Sequence, residues 1–474
     1  MNRLQLVAAG AAALWLGGCA SPGPTAITAP EPPPRWYAPL PHEGTLADLA
    51  SWWQQFNDPL LVELIESAQN ASPTIASAAS RIEQARAARI AAAAALLPTL
   101  DAVALAARGN TQPPVPLATT AQAGLQTAWE IDLFGGNRAA ADATQARLAA
   151  ARAGWHEARV SVAAETANSY VGLRICEQLL AVAQNDARSR AETARLAELS
   201  AQAGFTAPAT AALARASAAE GAARTTQQRA QCDVEVKALV ALTSMPEPQL
   251  RQRLAGPWSG AAPTALAVAA VPAQLLAQRP DVYQAEREVA AASADVGAAQ
   301  AQRFPRLSLF GSIARGSVRI GGATTDLQTW SIGPLEITLP LLDGGRRAAN
   351  VDAAQARYQE AATLYAARVR QAVREVEEAL VSLESARLRT EDARVAMEDY
   401  RIWFAATEAR YRGGLASLVE LEDARRTALV AEILWVTLQR ERVAAWVALY
   451  RAMGGGWARP GVPADAVLAR TSNR

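Results

Sequence analysis

The segment between Trp330 and Arg347 changes its hydrophobic period partway along. Four aliphatic side chains fall on one side of an extended chain, at positions Leu335, Ile337, Leu339 and Leu341. Glu336 and Thr338 fall on the other side, so the pattern predicts a strand with one apolar and one polar face. Asp343-Gly344-Gly345 then predicts a turn into a helical segment.

The helical segment is longer than a compact domain needs. Residues 346–411 contain neither Gly nor Pro, and a helix of that length would extend about 100 Å. Within it, apolar residues recur at alternating steps of 4 and 3, at Val369, Val373, Val376, Leu380 and Leu383. This spacing is typical of a coiled coil, so we expect other long helices as partners. A two-faced strand followed by such a helix favours a membrane β-barrel continued by a helical tube, with a soluble α+β protein as the alternative.

The sequence contains one unit twice. Matching residues recur 207 to 210 positions later: Pro73 and Pro280, Pro98 and Pro305, Gly109 and Gly316, Gly204 and Gly414. Each copy predicts a helix, two strands, a long helix, a turn and a further helix. We therefore place a first repeat at 46–255 and a second at 256–457, followed by a carboxyl-terminal tail at 458–474.

The first copy has a two-faced strand of its own. Its more apolar side carries Leu125, Thr127, Trp129, Ile131 and Leu133, which alternate with Gln126, Ala128, Glu130 and Asp132. The remaining strands are predicted to begin near Pro98 and Pro305, which gives four membrane strands per chain. Four strands cannot close a barrel, and an open edge in lipid would leave backbone groups without hydrogen bonds. The barrel is therefore expected to be shared between two or three chains.

The amino terminus has the pattern of an export signal. Arg3 precedes an apolar run that is too short to span a membrane permanently, and Leu16-Gly17-Gly18-Cys19 ends it. This ending resembles a bacterial lipobox, which implies a signal peptide at 1–18 and lipidation of Cys19. Ala20 after the cysteine favours the outer membrane by resemblance to sorted lipoproteins. Residues 19–45 are rich in Pro and are expected to form an extended tether.

Composition and charge exclude several classes of function. The net charge is +1, so there is no electrostatic case for nucleic acid. His42, His156 and the three cysteines show no metal-ligand spacing. We expect no catalytic site and no cofactor.

Cys176 and Cys232 lie 28 residues before and 28 residues after Gly204. If the chain turns back at Gly204, the two thiols lie at the same height on an antiparallel helix pair. An exported protein folds in an oxidising compartment, so we predict a disulfide between them. The alternative is that both are small buried residues in a helix seam.

Several motifs, in order, resemble the TolC-type outer-membrane factor family, most closely its lipidated efflux branch. They begin at Trp52-Trp53, Leu97-Pro98, Glu130-Ile131-Asp132, Gln278-Arg279-Pro280-Asp281, Phe304-Pro305, Asp343-Gly344-Gly345-Arg346 and Ala448-Leu449-Tyr450. The resemblance implies a homotrimer with a 12-stranded outer-membrane barrel, a 12-helix periplasmic tube and an equatorial domain. It also implies the exit duct of a tripartite efflux pump, coupled to a periplasmic adaptor and an inner-membrane transporter, most often of the RND type. Two alternatives stay open: a type I protein-secretion duct of the same fold, and a structural coiled-coil lipoprotein that spans the periplasm.

The turns after the two long helices are predicted to be the periplasmic tips that contact the adaptor. The residues concerned are Gly204, Phe205 and Thr206 in the first copy and Tyr411, Gly414, Leu415 and Ser417 in the second. Glycine permits the positive φ that ends a helix, and Phe205 or Leu415 would offer an apolar anchor. The alternative is that both turns are ordinary helix ends.

Glu420 and Asp423 are three residues apart and therefore lie on one helix face. The constricting carboxylates of the family align with these positions, which predicts a gate that selects cations. A solvated surface pair is the alternative.

Overall fold

The computed structural model describes residues 52–110, 117–256, 258, 276 and 278–460. The predicted signal peptide, Cys19, the tether and most of the tail lie outside these residues. In chain order, the first repeat provides α1 (Pro59–Ala71), α2 (Pro73–Ala94), β1 (Thr99–Gly109), β2 (Ala118–Ile131), α3 (Gly136–Gln202), α4 (Pro208–Thr243) and α5 (Glu247–Leu254). The second provides α6 (Pro280–Ala301), β3 (Arg306–Ile320), β4 (Ala323–Thr338), α7 (Arg346–Arg412) and α8 (Leu418–Ala452).

The element order repeats as the sequence predicts. Helices α3 and α7 each contain 67 residues, and helices α2 and α6 each contain 22. The predicted seam of α7 is buried at Val369, Val376, Leu380 and Leu383. The repeat boundaries remain a prediction, because the chain divides in space into two compact units that both draw on both repeats.

The first unit contains residues 79–153 and 284–368 and is built on one antiparallel sheet in the order β1-β2-β3-β4. Paired residues project to the same side of a sheet. One side, which we call the apolar face, carries Leu100, Leu125, Trp129, Ile131, Leu307, Leu309, Ile313, Trp330, Ile332, Leu335 and Ile337. The other, the polar face, carries among others Asp101, Gln122, Gln126, Glu130, Ser308, Ser312, Ser331 and Glu336. The predicted two-faced strands are confirmed.

Strand β4 keeps its apolar face by means of a bulge. Leu309 pairs with Leu335, but Gly311 pairs with Ile332, so β4 has one extra residue at Gly333-Pro334. The even-numbered Ile332 therefore shares a face with the odd-numbered Leu335. Proline suits a bulge because it has no N–H to contribute to the ladder.

The strands end earlier than the alternation predicts. Strand β4 stops at Thr338 and β2 stops at Ile131, so Leu339, Leu341 and Leu133 lie beyond the sheet. The alternation passes through Pro340 in the one case and Asp132 in the other. Proline cannot donate to a ladder, and Asp132 accepts hydrogen bonds from the backbone N–H of Asn137 and Arg138 at the start of α3.

The second unit draws on the described residues within 52–78, 154–283 and 369–460, and its core lies around Trp52. Trp52 stacks on Tyr450 with ring centroids 4.7 Å apart. Asp58 caps α1 and also accepts a 2.6 Å hydrogen bond from the Tyr170 hydroxyl. The motif that begins at Trp52-Trp53 therefore supplies one aromatic residue of the core and the residue that caps α1.

The motif Gln278-Arg279-Pro280-Asp281 supplies a buried arginine. Arg279 donates to Asp281, to Glu375 and to the carbonyl of Ala452. These carboxylates raise the pKa of the Arg279 guanidinium, although burial acts against the charge. The residue thereby ties the start of α6 to α7 and to the end of α8.

Among the described helices, none combines the length and the apolarity that crossing a bilayer requires.

Candidate functional site: the sheet faces and the helical hairpin tips

The polar face of the sheet can line a water-filled path. Glu130 pairs with Ser308, which pairs in turn with Glu336, so three adjacent strands place polar groups in one row. Two rows further along the same face, beyond Phe310, the hydroxyls of Ser312 and Ser331 lie 2.9 Å apart. A sheet with this face inward and the apolar face outward matches the interior and exterior of a membrane barrel.

The two long hairpins end in the same backbone turn. The Phe205 N–H donates to the Ser200 carbonyl at 2.9 Å, and the Leu415 N–H donates to the Arg410 carbonyl at 2.8 Å. Gly204 and Gly414, which precede them, have φ of 78° and 72°. This is the Schellman arrangement, in which a glycine in the left-handed region closes a helix. The predicted turn glycines therefore have the conformations that only glycine adopts without strain.

Each turn exposes one large apolar side chain. Phe205 is 85% exposed and Leu415 is 73% exposed. Full burial of such a side chain against a partner would contribute about 1.5–3 kcal/mol. The neighbouring tip residues are less accessible. The Thr206 hydroxyl is buried without a hydrogen-bond partner among the described residues, and Tyr411 is half-buried against a cluster that includes Leu418 and Leu421. Phe205 and Leu415 are thus the best placed of the predicted tip residues for a partner.

Ser417 and Glu420 form a capping box at the start of α8. The Glu420 N–H donates to the Ser417 hydroxyl at 3.2 Å, and the Ser417 N–H donates to the Glu420 carboxylate at 2.7 Å. The hydrogen bond from the Ser417 backbone lowers the pKa of Glu420 below its usual value. Asp423 is exposed and forms an ion pair with Arg426, one turn along the same helix. Both predicted gate carboxylates are therefore at the surface of one chain, but Glu420 also has a structural role.

Below the tips, an ion network joins the two hairpins. Arg190 on α3 contacts Asp186 at 2.9 Å and Glu422 on α8 at 2.7 Å. The Ser217 hydroxyl on α4 lies 2.9 Å from the same Glu422 carboxylate. Arg425 also pairs with Glu422, and burial lowers the pKa of its guanidinium.

This network includes residues that sequence analysis missed. Arg190 and Ser217 lie 14 and 13 residues from Gly204, so the distance rule used for the cysteines would have placed them within one residue of the same height. Glu422 belongs to the other hairpin, and no spacing within one repeat indicates which helices of the two hairpins pack together.

The predicted cysteine pair has disulfide geometry. Cys176 and Cys232 are bonded across α3 and α4 with Cα atoms 5.5 Å apart, within the range that disulfides require. The Gln228 amide donates to the Cys176 sulfur at 3.2 Å. Oxidation of the two thiols to a disulfide after export remains a prediction.

Within the described residues, no group of three or more His, Cys, Asp or Glu side chains is arranged to hold a metal ion. His156 packs edge-on against Trp155, and burial, together with Arg159, lowers its pKa.

A sheet that is apolar outside and polar inside, together with two long hairpins, defines an outer-membrane channel with a periplasmic extension. The profile of the family described as outer membrane efflux protein matches residues 64–244 and 271–455. The chain belongs to this family.

Relatives match over nearly the whole chain. The pyoverdine export outer membrane protein OpmQ of Pseudomonas putida is 31% identical over 94% of this chain and 96% of its own length. The toluene efflux pump outer membrane protein TtgI of Pseudomonas putida is 28% identical over 85% of this chain and 86% of its own. The solved structure of the outer-membrane channel OprN is 29% identical, with a TM-score of 0.79 over 91% of this chain and 100% of the other. The protein is therefore an outer-membrane efflux component with the TolC-like channel fold.

Proposed function

We propose that this chain is the exit duct of a tripartite efflux pump and that it passes small molecules passively from periplasm to exterior. The observation that carries the proposal is the presence, in one chain, of a two-faced membrane sheet and two long hairpins with matching exposed tips. Three copies would supply twelve strands, because each contributes four. A lipid on Cys19 would add a second attachment to the membrane.

The partners proposed are a periplasmic adaptor at the tips and an inner-membrane transporter, of the RND type. Phe205 and Leu415 would be the apolar anchors, since each projects from a rigid turn and loses little conformational freedom on binding. The choice of substrate would lie with the transporter. Relatives named for pyoverdine and for toluene differ widely in cargo, which supports a duct that discriminates little.

Conductance separates a duct from a structural spacer. The purified full-length protein in planar bilayers should give discrete ion-conducting steps and should migrate as a trimer in cross-linking experiments. A protein that inserts without conducting would contradict the proposal.

Variants at the tips test the adaptor contact. In cells, Phe205→Glu with Leu415→Glu should abolish cross-linking to the adaptor and raise intracellular accumulation of a pump substrate. The matched control is Phe205→Leu with Leu415→Val, which keeps both positions apolar. It should retain cross-linking to the adaptor and efflux of the substrate. Trimer content of the membrane should be equal in all strains. Unchanged cross-linking in the charged variant would place the adaptor elsewhere.

A further inference from the structure

Three arginines lie on the apolar face at one end of the sheet, where β1 leads to β2 and β3 leads to β4. Arg108 pairs with Thr119, and Thr119 pairs with Arg319, so these three residues form one row across β1, β2 and β3. Two rows nearer the middle of the sheet, Arg315 pairs with Ala123. All three arginines are exposed.

The face on which they lie is set by the register. Arg315 and Arg319 are separated from Ile313 by even numbers of residues along β3, so all three project to the same side. Arg315 follows Ile313 by about 7 Å and Arg319 by about 20 Å along the strand. The arginines therefore lie directly beyond the apolar band, on the surface that faces lipid.

The outward charges are distributed unevenly. The four rows from Ile131 to Leu125 and their partners contain no charged side chain on this face. Beyond them the paired strands carry three arginines and a single acid, Asp326, which pairs with Ser317. Three positive charges against one negative leave a net charge of +2 per chain at this end.

Among the described residues, these arginines have no ionic partner. Within the described part of the chain, Arg108, Arg315 and Arg319 take part in no ion pair, with Asp326 on the neighbouring strand or with any other acid. A guanidinium is strongly unfavourable at the bilayer midplane, but its cost falls close to zero near the interface. The arginines lie at the end of the sheet opposite to the strand ends that continue into α3 and α7. Because these helices form the periplasmic extension, the arginine end corresponds to the outer leaflet.

We propose that Arg108, Arg315 and Arg319 bind phosphate groups of the lipids in the outer leaflet, the phosphorylated lipopolysaccharide headgroup in particular. Arginine presents a planar fork that binds phosphate through two hydrogen bonds and is weakly hydrated, so it suits a lipid-water boundary. The apolar band would hold the acyl chains while the arginines hold the headgroups. The contact would fix the height of the channel in the membrane.

The test measures binding of defined lipids to the full-length protein in detergent by native mass spectrometry. The probes are lipopolysaccharide lipid A with its phosphates, the same lipid after phosphatase treatment, phosphatidylcholine and inorganic phosphate alone. Wild-type protein should bind the phosphorylated lipid about tenfold more tightly than the dephosphorylated form, equivalent to about 1.4 kcal/mol. Inorganic phosphate alone should not compete at the same concentration, because it lacks the acyl chains.

The variants locate the contact. Arg315→Gln with Arg319→Gln should remove the preference for the phosphorylated lipid, and Asp326→Asn should strengthen it. Arg306→Gln is the matched control, since Arg306 is on the same strand but at the helix end and on the polar face, and it should bind as wild type does. Conductance in planar bilayers reports folding of each variant. Equal binding of both lipid forms by the wild type, or an unchanged preference in the folded Arg315→Gln, Arg319→Gln variant, would overturn the proposal.

Discussion

Arg190 and Glu422 form an ion pair at 2.7 Å that joins α3 of the first hairpin to α8 of the second. The Arg190 side chain is 5% exposed and that of Glu422 is 19% exposed, so the pair is largely shielded from water. Arg425 contacts the same carboxylate. Glu422 therefore balances two buried guanidinium groups at once.

Replacing Glu422 with Gln should loosen the packing of the two hairpins near their tips. Arg190 would keep its ion pair with Asp186, whereas Arg425 would lose the carboxylate with which it pairs. We expect a loss of about 3 kcal/mol, the low end for a broken buried pair because Glu422 is partly exposed. The thermal unfolding midpoint of the helical region, followed by circular dichroism, measures the effect. Glu441→Gln, which removes an exposed pair with Arg389, should cost no more than about 1 kcal/mol. Equal losses of stability in the two variants would show that the Glu422 ion pairs contribute no more than an exposed pair.

The disulfide predicts the number of reactive thiols. With Cys19 lipidated and Cys176 bonded to Cys232, the denatured mature protein should show no free thiol until a reductant is added. Reduction or Cys232→Ser should destabilise the hairpin by about 2–4 kcal/mol, because the bond restricts the unfolded chain. Counting with a thiol reagent checks the first expectation. Two reactive thiols without reductant would contradict the pairing in the exported protein.

The two gate carboxylates should contribute unequally to ion selectivity. Glu420 is held by Ser417 in the capping box, whereas Asp423 has only an exposed Arg426 beside it. Asp423→Asn should therefore reduce cation selectivity in planar bilayers more than Glu420→Gln, which also preserves the capping box since glutamine can serve at that position. The reversal potential in a salt gradient measures selectivity. If the double variant kept the selectivity of the wild type, these residues would not form the gate.

Glu157 should make the stability of the second unit depend on pH. Burial, with the nearby charge of Asp281, raises the pKa of Glu157, although Arg451 and Arg279 oppose the shift. A carboxyl whose folded pKa exceeds its unfolded pKa binds more protons when folded, so its contribution falls as pH rises from the unfolded pKa through the folded pKa.

Glu157→Gln should remove that decline and raise the melting temperature at pH 8 relative to pH 5, compared with the wild type. Thermal unfolding at the two pH values provides the measurement. Glu384→Gln serves as the control, because Arg387 lowers the pKa of Glu384 and no gain at high pH is expected. A wild-type profile in Glu157→Gln would assign the pH dependence to other groups.

The sequence predicted features that depend on one period or on one turn. The alternation of Leu335 and Ile337 identified a face, and equal distances from Gly204 paired the cysteines. It could not place Trp330 and Ile332 on that same face, because the bulge at Gly333-Pro334 changes the phase and only strand pairing reveals it. Nor could it bring Arg190 to Glu422, since this contact depends on how two separate hairpins pack.

The bulge in β4 also determines which genetic changes the strand can tolerate. Side chains on either side of Gly333-Pro334 reach one face only because one extra residue separates them. Deleting either residue would restore a simple ladder and turn Trp330 and Ile332 toward the polar face, since a shift of one residue reverses every side chain. Substitution at 333 or 334 alters a local bend, whereas a single-codon insertion or deletion there changes the inside and outside of half a strand. The length of this short segment is therefore constrained, in addition to the identity of Gly333, whose φ of 111° favours glycine.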